Sequence, residues 1–300
     1  MTNYFTNDDE SKTVPAFSII DSHTHFWNPA VLRYDWLSGS TVLNRPFLPE
    51  DYQAAMQDVS VEQVVFVEAG TNDGQSLEEA VWVAEQTGGP KIGAIVAFAP
   101  LENGPNVQEH LERLKQVEGV RGIRRNLQGE VEDLCLQSAF VKGVAMLTNF
   151  DFTFDICIRA HQLPAVTDLV KRCPGVSFVL DHAGKPDIRA GEREPWKSHL
   201  EKLARLPNVV CKLSGLATEA DHAHWTENDL RFYVEHVCAC FGMNRVIYGS
   251  DWPVATLATD YPRWVNVLNR LTAFCLDDER RALFAENARR VYGLGRSALS

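Results

Sequence analysis

The chain has 300 residues, 45% of them apolar and 23% charged, enough for a sizeable core. This composition excludes collagen, coiled coil and wholesale disorder. Lys and Arg total 29 against 40 Asp and Glu, a formal charge of −11, so nucleic acid and anionic membranes, both polyanions, are not expected partners.

Residues 1–16 read as a polar, acidic tail with no basic n-region or apolar h-region, and a cytoplasmic location is expected. No apolar run approaches the roughly 18–20 residues that cross a bilayer. Eight β-branched, apolar segments follow: FSIID (17–21), QVVFVEA (63–69), KIGAIVAFA (91–99), VRGIRRN (120–126), FTFDICI (152–158), VSFVLDH (176–182), NVVCKLSG (208–215) and RVIYGSD (245–251). Helical spacing lies between them, as in SLEEAVWVAEQTG (76–88), NVQEHLERLKQVEG (106–119), PAVTDLVKRCPG (164–175) and TENDLRFYVEHVCACFG (226–242). DDERRALFAENARRVYGL predicts a closing amphipathic helix capped by Asp277 or Asp278. Near-continuous apolar strands alternating with helices imply a parallel sheet. Eight units without a linker predict one α/β domain over 17–300, a single (β/α)8 TIM barrel. The seven cysteines lack paired CxxC spacing and read as reduced, buried thiols. Cys238 and Cys240, pointing to different helix faces, make a poor metal clamp.

A barrel carries its chemistry at the strand C-terminal ends. Those ends read Asp21-Ser-His23-Thr-His25, Glu68, Arg124-Arg125, Asp181-His182, Lys212 and Asp251. His23 and His25, two apart on a strand, project from one face. With His182 and Asp251 they make a suitable set for one divalent ion, Zn²⁺ first, leaving a position for water or substrate. Glu68 is open as a further ligand, an acceptor behind the ligands, or the partner of an arginine. His182 as a structural histidine and Asp251 as a turn cap are the plainer alternatives. A second pair, His222 and His224, lies in the polar stretch TEADHAHWT and reads as loop.

IIDSHTHFW, VRGIRRNLQGE, FVLDHAGKP, VVCKLSGL and RVIYGSDWPV together resemble the amidohydrolase superfamily, in particular its sugar-lactone hydrolase branch. The likeness runs from residue 17 to about 293 with the motifs in order. It implies a barrel that hydrolyses a lactone or another ester- or amide-like bond, with His23, His25, His182 and Asp251 at the family's ligand positions. Arg124 and Arg125 stand where many members have a carboxylated lysine, which argues against a two-metal site. Only His161 lies near the position of the histidine that often ends strand 5. The branch includes members thought to work without an essential metal.

Asp251 is then expected as general base, His182 or protonated Asp251 as the acid toward the ring oxygen, and Arg124 or the ion as the group polarising the carbonyl. Small Gly122 on the same strand face points Arg124 into the lumen and Arg125 toward the helices. Trp27, Tyr34 and Trp36, in a long first loop, offer flat faces for a sugar ring. Lys212 either contacts substrate or pairs with an acidic neighbour. The expected substrate is a neutral aldonolactone such as L-fuconolactone or L-rhamnonolactone. Alternatives are a pyrone dicarboxylate or muconolactone, a decarboxylase or hydratase activity, and a catalytically silent barrel that binds a sugar acid. Homo-oligomer formation stays open.

Overall fold

The computed structural model describes residues 15–72 and 74–295, so most of the expected 1–16 tail lies outside the described residues. Eight parallel strands form one sheet in chain order: β1 (Ile19–Thr24), β2 (Val61–Val67), β3 (Lys91–Phe98), β4 (Val120–Arg124), β5 (Thr153–Ile156), β6 (Phe178–Leu180), β7 (Val209–Leu213) and β8 (Val246–Tyr248). Thr24 bridges Trp252 in parallel register, bringing the first strand against the segment after the last. The architecture is a (β/α)8 barrel.

Eight helices follow the strands or their loops: α1 (Pro49–Met56), α2 (Ser76–Ala84), α3 (Gln108–Lys115), α4 (Ser138–Met146), α5 (Leu163–Arg172), α6 (Trp196–Ala204), α7 (Glu227–Phe241) and α8 (Tyr261–Leu271). Strand alternation separates two cores. Ile19, Val64, Phe66, Ile95, Ile123 and Phe154 face outward into the layer shared with the helices. Ile20, Val65, Val67, Val96, Val179 and Ile247 face inward and fill the lower lumen.

The closing helix differs from the sequence expectation. It begins as α9 (Asp277–Arg281), passes through a π segment (Ala282–Glu286) and ends as α10 (Asn287–Val291). Its N-cap is Leu276, whose backbone N–H is accepted by Glu279 at 2.9 Å; Asp277 and Asp278 fall within the first turn. Ala285, Ala288, Tyr292 and Leu294 belong to the inner core, so this segment plugs the lower end of the barrel. Tyr292 reaches upward to donate to Asp155 Oδ2 at 2.6 Å.

All seven cysteines are free thiols. Among the described residues no helix is long and apolar enough to cross a membrane.

Candidate active site

Above the apolar lumen the inward positions become charged. Asp155 on β5 and Lys212 on β7 are fully buried and meet at 2.6 Å. Lys212 also lies 3.0 Å from Asp181 Oδ1, at the end of β6. A buried ammonium is tolerable here because two carboxylates surround it. Lys212 does not line the cleft, so the open choice between substrate contact and ion pair falls to the pair.

Asp181 carries the charge upward. Its Oδ1 is 3.3 Å from His23 Nδ1 and its Oδ2 3.5 Å from Arg124 Nη1. Burial pushes this carboxyl up, but Lys212 and then His23 outweigh it and hold Asp181 well below the usual carboxylate range. Lys212 Nζ also lies 3.3 Å from His23 Nδ1, so the Nδ1 edge of the ring faces this buried charge cluster and Nε2 is on the side of Asp251. That Nε2 is buried and has no hydrogen-bond partner.

The other histidines are oriented in the same way. His25 Nδ1 donates to Val67 O at 2.7 Å, leaving Nε2 3.4 Å from Asp251 Oδ1. His182 Nδ1 sits 2.9 Å from Ser214 Oγ, with Nε2 3.9 Å from Asp251 Oδ1. His23 Nε2 is 3.7 Å from that same oxygen. Burial lowers His23 and His182 well below the ordinary imidazole value, so both are neutral. Burial would raise Asp251, but the neighbouring His182, His25 and Lys185 keep it below its usual value. The result is an ionised carboxylate facing three imidazoles.

The backbone is bent to achieve this. His182 and Asp251 adopt left-handed φ of 53° and 64°, a conformation costing about 1–3 kcal/mol for non-glycine residues and typical of functional sites. Two glycines make room. A Cβ at Gly215 (φ +61°) would come within 2.6 Å of His182 Nδ1 and 3.0 Å of Asp251 Oδ2. At Gly249 it would meet the His23 Cβ at 2.7 Å.

His25, His182 and Asp251 open onto a cleft of about 920 Å³ that also takes in Trp27, Trp36, Arg124, Arg125, Gln128 and Lys185, while His23 is fully buried. Arg124 enters the lumen as expected from Gly122 and donates through Nε to Glu68 Oε1 at 2.7 Å. Glu68 Oε2 accepts from Gly70 N at 2.7 Å. Glu68 thus holds the arginine, and it is not among the clustered ligand atoms of His23, His182 and Asp251. Arg125 corrects an expectation: β4 ends at Arg124, strand alternation stops, and Arg125 runs along the rim between Glu102 and Glu130 (3.0 and 2.8 Å). Tyr34 is a second correction. It is buried beneath the loop, 3.4 Å from Glu79 Oε1, and does not reach the cleft. Trp27 lines the cleft but is fixed by Nε1 bonds to Leu43 O and Arg45 O, whereas Trp36 is 45% exposed. His161 lies past β5 in a short turn and lines a separate cavity with Arg159 and Arg189. His224 is on the surface, paired with Asp221.

Sequence reasoning gave no role to Asp155, Asp181 or Lys185. A charge inside the apolar run FTFDICI was the available signal for Asp155. Lys185 sits in the DHAGKP segment with a left-handed φ of 49° and donates to Gln128 Oε1 at 2.6 Å.

His23, His182 and Asp251 place ligand atoms within 4.8 Å of one another. One of these atoms, His23 Nε2, has no hydrogen-bond partner, and two imidazoles and a carboxylate suit one divalent ion.

The Amidohydrolase family model matches residues 20–294. The chain belongs to this family. The amidohydrolase is 33% identical over 291 residues to an L-fucono-1,5-lactonase of Burkholderia multivorans, covering 92% of this chain and 96% of that protein. It is 25% identical over 287 residues to a 4-sulfomuconolactone hydrolase of Rhizobium radiobacter, covering 91% and 89% respectively. A solved amidohydrolase of Burkholderia multivorans with bound zinc superposes with a TM-score of 0.80 at 33% identity, covering 93% of this chain and 100% of that one.

Proposed function

We propose that this amidohydrolase opens a neutral sugar lactone, of the L-fuconolactone or L-rhamnonolactone kind, to its hydroxy acid. The reading rests on the ionised Asp251 facing three imidazoles at the foot of the cleft. Asp251 takes a proton from the attacking water as the water oxygen bonds to the lactone carbon. As the C–O bond of the ring breaks, protonated Asp251, or His182 beside it, returns that proton to the departing oxygen. Arg124 and Lys185, both lining the cleft, face the oxygen on which negative charge develops. A divalent ion held by His23, His182 and Asp251, with His25 alongside, supplies Lewis-acid polarisation when bound.

A neutral substrate is favoured by charge matching. Arg124 faces Glu68 and Asp181, Arg125 faces Glu102 and Glu130, and Lys185 faces Glu219 at 3.5 Å. A dicarboxylate or sulfonate calls for convergent cations free to make charge-assisted bonds, and these three are already matched. Trp36 offers an exposed ring for an apolar sugar face.

The test is a pH-indicator screen over sugar lactones, a pyrone dicarboxylate and a muconolactone, run with and without chelator. Acid release greatest with a sugar lactone is expected. Turnover confined to the charged lactones would overturn the substrate assignment, and CO₂ release without ring opening would overturn the reaction.

A further inference from the structure

A second cluster of ligating side chains lies away from the barrel mouth, between α6 and α7. His236 and Cys240 stand four residues apart on α7, on one face of the helix. Glu201 reaches them from α6. Cys240 Sγ lies 3.3 Å from His236 Nε2, which is 3.7 Å from Glu201 Oε1. All three donor atoms lie within 4.8 Å of one another.

Those spacings can be compared with what an ion requires. Tetrahedral zinc with bonds of about 2.3 Å to sulfur and about 2.0–2.2 Å to nitrogen or oxygen separates neighbouring ligand atoms by roughly 3.3–3.6 Å. The S–N and N–O pairs already stand close to that range, and Glu201, 37% exposed, has freedom to settle the third. The imidazole is held in place: it stacks on Phe232 at 5.8 Å and 4° and meets Trp196 edge-on at 5.5 Å. One thiol, one imidazole and one carboxylate from two helices, open to solvent on one side, leave a fourth position for water.

We propose that Glu201, His236 and Cys240 form a site for a thiophilic divalent cation of the zinc class, tying α6 to α7 independently of the barrel mouth. On binding, the Cys240 S–H proton passes to solvent and the thiolate takes the metal bond. Lys197, whose Nζ is 2.7 Å from Glu201 Oε1, is the cation that must give way. Cys238 is not part of this cluster; Cys240 finds its partners four residues back and on the neighbouring helix.

Titration of the whole protein with Co²⁺, following thiolate-to-cobalt charge-transfer absorption, tests this. The wild type is expected to show the band. Cys240→Ser and His236→Ala are expected to lose it or weaken binding by more than about 100-fold, beyond the roughly 10–100-fold that loss of an outer partner costs. Cys157→Ser, at the barrel mouth, is expected to keep the band, and Lys197→Ala to tighten binding. A wild type with no band, or a band that vanishes with Cys157→Ser and survives Cys240→Ser, would overturn the site. Alkylation of Cys240 in the wild type, read by mass spectrometry, gives a second measure: Zn²⁺ is expected to slow it, and an unchanged rate counts against the proposal.

Discussion

Asp251 and Lys212 are both buried and charged, yet they differ in what they face. Asp251 looks into the cleft, and its ionised state is what the proposed reaction uses. Asn keeps its shape and a ligating oxygen but has almost no basicity. Asp251→Asn is therefore expected to fold normally, keep most of its metal and lose roughly 10²–10⁴ in kcat. A variant within about threefold of wild type would hand the base role to another group. Lys212 looks only at protein. Lys212→Met leaves Asp155 and Asp181 buried without their cation, and urea unfolding is expected to show a loss of about 3–5 kcal/mol. A stable variant with a raised KM would instead mean that the ammonium meets substrate. Sequence showed that both residues sit at strand ends. It did not show which of them a carboxylate would claim, because Asp155 and Asp181 are brought to Lys212 only when β5, β6 and β7 align.

At the level of elements, strands and their ends were legible because eight apolar runs ended in charged residues. The first loop was less so. Trp27, Tyr34 and Trp36 look alike in sequence, yet both tryptophans line the cleft with Nε1 anchored to a backbone carbonyl, Trp36 alone of the three being exposed, while Tyr34 is buried away from it. Trp36→Ala is expected to raise KM for the best lactone with little change in Tm. An unchanged kcat/KM would make the ring a cover only. Tyr34 instead meets Glu79 on α2, whose carboxyl is pushed up to about 8, first by burial and then by Glu68. A carboxyl raised above its unfolded value, 4.5, adds stability that is complete below that value and is lost as pH rises through the folded one. Wild-type Tm is therefore expected to fall from about pH 5 toward pH 8, with Glu79→Gln giving a flatter profile. Parallel profiles for the two proteins would remove Glu79 from the account. The π segment in the closing helix had no sequence signal, since its apolar spacing suits an unbroken helix equally well.

For the molecule as a whole, the barrel closes where its chemistry lies. Asp251 N donates to His23 O at 2.9 Å, and His25 N to Trp252 O at 2.8 Å. The seam between the beginning and the end of the fold thus runs through the proposed catalytic group. Contacts so remote in sequence form late, after much chain has been ordered. A nascent chain halted before β8 would carry His23, His25 and His182 but no carboxylate to face them. A polypeptide cut short before its last strand would therefore lack Asp251 and be inert in the proposed reaction, however much of the rest had folded.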